Sequence, residues 1–176
     1  LIGSLGMRES RYQVNSIVDR MAEKMRGQVL YFNAPAFAID AQTREKTLHQ
    51  EPFFSLLDTW KHLNVAVIGL GVSVEHAGFP FGEFASENIE RLRSSKAVGD
   101  ILGQFFDADG NICQSGYEQE YLGFSLSELR EVDQTICLCG GTPKIPGMIA
   151  AARRGYYNML VTDERTGIEL IEVLEG

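Results

Sequence analysis

The apolar, strand-like run Thr135-Ile136-Cys137-Leu138-Cys139 ends in Gly140-Gly141-Thr142-Pro143-Lys144 and reopens as a helical pattern from Met148 to Arg154. A strand that ends in paired glycines and resumes as a helix leaves backbone N–H groups without partners at the turn, and a Lys there adds a full positive charge. The stretch predicts a seat for a phosphate. The next strand, Tyr157 to Val161, runs into Thr162-Asp163-Glu164, where Thr162 or Asp163 can cap a last helix. Strand, glycine turn, helix, strand and capped helix follow one another as in a parallel sheet. The predicted fold class is therefore α/β, a mostly parallel open sheet with flanking helices.

Upstream, Val14, Ile17, Val18, Met21 and Met25 recur at helical spacing, which predicts a helix over Arg11 to Gly27 that Gly27 ends. Gln28 to Phe32 reads as a short strand leading into the loop Asn33-Ala34-Pro35-Ala36. A helix over Thr43 to Gln50 stops before Pro52, and a second, Phe53 to His62, presents Phe54, Leu57 and Trp60 to a core. Asn64 to Leu70 is the clearest buried strand, and Glu83 to Arg93 is a further helix. Asp109-Gly110, flanked by apolar residues, marks a hairpin turn. With the irregular segment Cys113 to Ser127 it forms a small β-rich excursion from the main sheet.

The chain has 176 residues, 44% of them hydrophobic, enough to bury a core without covalent staples. Its formal charge of −8 excludes a broad electrostatic grip on nucleic acid or an anionic membrane. No apolar run approaches the roughly 20 residues of a membrane span. Leu1 to Gly6 lacks the basic start of a secretion signal, so the chain reads as soluble and cytoplasmic. The three cysteines are odd in number, and Cys137 and Cys139 project from one face of a strand as small core hydrophobes. His49 and His62 read as surface or packed residues. Asp107 to Asn111 resembles a calcium loop only faintly, without the terminal Glu, and no metal or cofactor is expected.

Gly69-Leu70-Gly71-Val72-Ser73, after the Asn64 to Leu70 strand, is a second candidate ligand loop, or a tight turn that serves close packing. Ligands of open parallel sheets sit beyond the carboxyl ends of the strands, where loops at Gly71 and Gly141 share an edge. No full G-x-G-x-x-G is present, which disfavours a dinucleotide.

Ala97-Val-Gly-Asp-Ile-Leu-Gly103, Phe105-Phe-Asp-Ala-Asp-Gly110, Gly140-Gly141 followed by Lys144, and Gly155-Tyr-Tyr-Asn-Met-Leu-Val-Thr-Asp-Glu164 stand in a fixed order. Together they resemble the C-terminal effector-binding domain of SorC/DeoR-type bacterial sugar-metabolism regulators, over Gly3 to Leu174. The resemblance implies a fold similar to glucosamine-6-phosphate deaminase and ribose-5-phosphate isomerase. It also implies a phosphorylated sugar or sugar alcohol as ligand, and a homo-oligomeric parent, dimer or tetramer. Operator DNA would be held by an N-terminal helix-turn-helix that this chain does not include. Relatives carry a further strand with a Gly-rich loop upstream, so residues 1–176 correspond to an incomplete effector domain.

The family's ligand contacts fall on Gln13, a polar residue of the first helix, on Asp100, which accepts from sugar hydroxyls, and on Lys144, which pairs with phosphate. Gly69, Gly71, Gly140 and Gly141 line the two loops, and His76 falls near an arginine of many relatives. Ile2 stands where some relatives carry Lys or Arg, so covalent capture of a carbonyl sugar is not expected. Each residue also has a structural reading: Asp100 as a helix cap, Lys144 as a solvated first-turn lysine, Gln13 as one polar residue on an apolar helix. Thr142 can cap a helix with Pro143 at its first position, or the helix can start at Pro146 and leave Lys144 on the loop. An enzyme of the same fold, a sugar-phosphate isomerase or deaminase, is the alternative function. The Asp-Gly-His run of the deaminases is absent from Val72 to His76, and a ligand sensor without catalytic residues is preferred.

Overall fold

A computed structural model describes residue 1, residues 13–73 and residues 86–176. The chain divides into two compact units, Leu1–His62 with Tyr117–Phe124, and Leu63–Gly116 with Ser125–Gly176.

The first unit opens with α1 (Val14–Met25), an amphipathic helix with no fully buried residue. Its end lies one residue earlier than the glycine suggests. Arg26 takes the left-handed conformation, φ 54°, and the Gly27 N–H then donates to the Ala22 carbonyl at 2.9 Å. Residues 28–32 form no strand, because Phe32 turns inward to an aromatic cluster instead of joining a sheet. Its ring meets Phe53 edge-on at 5.1 Å and Trp60 at 5.4 Å, and Trp60 meets Phe124 at 5.7 Å. Asp40 caps α2 (Ala41–Leu48) by accepting from the Thr43 N–H at 2.6 Å. In α3 (Phe53–Trp60) the buried residues are Leu56 and Trp60, while Phe54 stays exposed, so the inward face is rotated by about one position from Phe54 and Leu57. The segment Tyr117–Phe124 returns along residues 36–38: Phe37 and Tyr121 form an antiparallel bridge, and Leu122 donates to Ala36 at 2.7 Å. It is part of this unit and not an excursion from the main sheet.

The second unit contains a parallel sheet of β1 (Val65–Gly69), β4 (Gln134–Leu138) and β5 (Met159–Val161), with β4 in the middle. Val67 lies beside Ile136, and Ile136 beside Met159. Helix α6 (Ile145–Arg154) links β4 to β5, and α7 (Glu164–Glu175) follows β5, in the predicted order. Strand β1 is not buried on both sides. Ala66 and Ile68 face the core, while Val65 and Val67 share an exposed apolar face with Leu138, Met159 and Val161.

Helix α4 (Ser86–Ser94) precedes an antiparallel hairpin of β2 (Gly99–Ile101) and β3 (Gln104–Phe106). The hairpin turns at Leu102 and Gly103, both at positive φ, 54° and 74°. A two-residue turn between twisted strands needs this backbone, but a leucine there gives no composition signal. The chain also reverses at Asp109-Gly110, where Phe106 bridges Ile112. A short helix, α5 (Leu126–Leu129), occupies part of a region read as irregular. Ser125 and Glu128 close a capping box at its start, the Ser125 N–H donating to Glu128 Oε2 at 3.0 Å. Leu92, Ala97 and Phe105 pack together, and Ile101, Phe106, Leu126 and Met148 are also fully buried.

Candidate functional site

Asp100 lies on β2 as the middle residue of the strand, so the cap reading is wrong. Its carbonyl accepts from the Gly71 N–H at 2.9 Å, which joins the exit of β1 to the hairpin. Its carboxyl packs directly on Gly71: a Cβ at that glycine would stand 1.8 Å from Oδ1. Gly71 is therefore a space requirement, whereas Gly69 meets nothing closer than the Leu138 carbonyl at 4.0 Å.

Among the described residues the Asp100 carboxyl has one hydrogen bond, from the Gly103 N–H to Oδ2 at 3.2 Å. The residue keeps partial exposure, but its carboxyl is desolvated, and the carboxyl carries the charge. Burial raises its pKa from 3.8 to about 6, against smaller lowering effects from the Gly103 N–H and the nearby Lys144 ammonium. A carboxylate held at this cost with one long hydrogen bond has acceptor capacity left over.

Lys144 is brought into reach by two further glycines, Gly99 and Gly147. A Cβ on Gly99 would stand 3.2 Å from the Gly71 carbonyl oxygen and 3.4 Å from the Gly147 Cα. One on Gly147 would stand 3.1 Å from the Val98 carbonyl oxygen. The first turn of α6 thus sits backbone to backbone on β2, a contact only glycines permit. Thr142–Lys144 form a 3₁₀ turn with Gly141 before it, and α6 begins at Ile145. Neither Thr142 nor Pro146 marks the start of the helix. Lys144 holds the N-cap position, where no carboxylate among the described residues lies within ion-pair distance of it.

The glycine pair itself is arranged differently from an empty seat. The Gly141 N–H donates to Thr166 Oγ1 at 2.8 Å, and Thr166 Oγ1 donates to Asp163 Oδ2 at 2.7 Å. A Cβ on Gly140 would stand 2.3 Å from the same Asp163 oxygen. Asp163 caps α7 through the Thr166 N–H at 3.0 Å, and the hydrogen bonds from Thr166 hold its carboxyl below the usual range. The chain's own carboxylate stands over Gly140-Gly141, and Lys144 is the cationic side chain of this loop.

Gln13 belongs to the first unit, exposed at the N-cap position of α1 with no side-chain cap. His76 and Ile2 lie outside the described residues. Among the described residues, no cluster of three or more His, Cys, Asp and Glu side chains is placed to hold a metal, and no helix is long and apolar enough to cross a membrane.

Residues 1–172 match the Sugar-bind family model, described as a "Putative sugar-binding domain". The chain is 26% identical over 171 residues to the sorbitol operon regulator of Klebsiella pneumoniae, covering 97% of this chain and 54% of that protein. It is 29% identical over 172 residues to the deoxyribonucleoside regulator of Bacillus subtilis, covering 96% and 55%. The chain spans about half the length of these curated relatives. The solved full-length sorbitol operon regulator from Klebsiella pneumoniae superposes with a TM-score of 0.88 at 26% identity, over 97% of this chain and 55% of that one. A probable sor operon regulator from Shigella flexneri superposes with a TM-score of 0.86 at 28% identity, over 97% and 67%. Fold, motif order and relatives agree, and the chain belongs to the family of sugar-binding domains found in SorC/DeoR-type transcriptional regulators.

Proposed function

We propose that this domain senses a phosphorylated sugar or sugar alcohol, and that the ligand changes the DNA binding of a homo-oligomeric parent, a dimer or tetramer. The observation that carries the reading is the juxtaposition of Lys144 with the desolvated Asp100 carboxyl beside Gly71. An ammonium suits a phosphate, and a carboxylate with spare lone pairs suits sugar hydroxyls, so the pair reads both ends of one small ligand. Gly69 remains a candidate contact of this ligand, and Gln13 and His76 remain ligand candidates by the resemblance alone. Operator contacts are assigned to a separate domain of the parent chain, since a net charge of −8 offers phosphates little. We read the domain as a cytoplasmic sensor and not an enzyme: its relatives are named as regulators, and residues 72–76 carry no Asp-Gly-His run.

A thermal-shift screen of phosphorylated sugars against their unphosphorylated parents identifies the ligand, because anything bound only by the folded state stabilises it. Calorimetry with that ligand then tests the site. Lys144→Ala is expected to weaken binding of the phosphorylated form by about 1.5 to 3 kcal/mol, the range of a charge-assisted hydrogen bond, without loss of fold. Equal affinity in variant and parent refutes the assignment.

A further inference from the structure

Cys137 lies in β4 and Cys139 is the first residue after it, and their sulfur atoms lie 3.5 Å apart. Both thiols are free, Cys137 fully buried and Cys139 partly exposed. Packing alone does not require two sulfurs in hydrogen-bond contact beside a lysine. We propose that Cys137 and Cys139 form an oxidisable dithiol that closes to an intrachain disulfide when the protein meets a peroxide.

Closure needs a small bend of the chain at Cys139, which follows the end of β4, to bring the two Cβ atoms within the roughly 4.5 Å a disulfide spans. Two residues of extended chain separate their Cα atoms by about 6.5 Å, inside the roughly 4.4 to 6.8 Å that disulfides span. The roles follow from position. Cys139 is the solvent-reachable member, and its thiol is shifted below the ordinary value, first by the hydrogen bond it shares with Cys137 and then by the Lys144 charge, against burial. Cys137 is shifted upward, by the same hydrogen bond and by burial, and keeps its proton. In the first step the Cys139 thiolate attacks one oxygen of hydrogen peroxide, the O–O bond breaks and hydroxide leaves, giving a sulfenic acid at Cys139. In the second, Cys137 sulfur attacks Cys139 sulfur, the S–O bond breaks, and the departing hydroxyl takes the Cys137 proton as water. Two electrons pass from the sulfurs to the peroxide, one from each cysteine.

The test uses the full-length protein in its folded state. It is treated with hydrogen peroxide, then unfolded in guanidinium with N-ethylmaleimide to block its remaining thiols, and digested with trypsin. Cleavage after Arg130 and Lys144 places both cysteines in the single peptide Glu131 to Lys144, while Cys113 falls in the preceding one. The expected product is that peptide lighter by two hydrogens, unalkylated, and restored to two blockable thiols by dithiothreitol. In Cys137→Ser the sulfenic acid persists at Cys139 and is trapped by dimedone; in Cys139→Ser the peptide carries no dimedone adduct. A wild-type peptide that stays doubly alkylated, that passes to sulfinic or sulfonic acid, or that is cross-linked to another peptide overturns the proposal whether or not the variants fold.

Discussion

Replacing Asp100 by Asn separates what this carboxyl costs the fold from what it offers a ligand. The amide keeps the shape beside Gly71 and an acceptor for the Gly103 N–H, but it does not ionise. The wild-type group titrates at about 6 in the folded chain against 3.8 when exposed, a shift caused mainly by desolvation. The native state therefore holds this proton more tightly than the unfolded state. The associated stability is complete below the unfolded value and is lost as pH rises through about 6. At about 1.4 kcal/mol per pH unit, the shift amounts to about 3 kcal/mol. Urea unfolding of both proteins from pH 4 to pH 8 reads the effect as a difference, which cancels the titration of every other carboxylate. Asp100→Asn is expected to gain on the wild type by about 2.5 kcal/mol across that range and to be the more stable protein at pH 8, while losing affinity for the sugar ligand. A stability difference that does not change with pH shows that the carboxyl is not desolvated, and the account of the site falls with it.

Gly71→Ala places a methyl 1.8 Å from Asp100 Oδ1, so either the carboxyl or the end of β1 must move; a loss of about 1 to 3 kcal/mol in urea unfolding is expected, and an unchanged midpoint refutes the contact. Thr166→Val removes the acceptor of the Gly141 N–H and a donor to Asp163 at a buried position, and thermal or urea unfolding should show a loss of about 1 to 3 kcal/mol. If this variant is as stable as the parent, the glycine turn is not held from α7. The domain alone should show no measurable binding to duplex DNA in fluorescence anisotropy at physiological salt, and a salt-dependent affinity would contradict its charge.

Much of the second unit is legible locally. Apolar runs with turn residues at their ends mark β1, β4 and β5, and Thr162-Asp163 before Glu164 announces the α7 cap, which the fold gives to Asp163, because strand, turn and cap preferences act over a few residues. The order of these elements was enough to predict a parallel sheet. What ran over long distances was not legible. Residues 28–32 have the composition of a strand, yet Phe32 finds Phe53 and Trp60 and no neighbouring strand. Leu102-Gly103 lacks the usual hairpin composition and turns because the flanking strands pair. The site shows the same division. The resemblance implies Lys144 and Asp100 as ligand contacts, but that they share one locale depends on Gly71, Gly99 and Gly147 meeting across three segments. Gly140-Gly141 carries the composition of an open anion seat, and only the fold brings Asp163 and Thr166, more than twenty residues later, to fill it. A residue's type determines which partners it can satisfy, whereas the packing of distant segments decides which of those partners arrives.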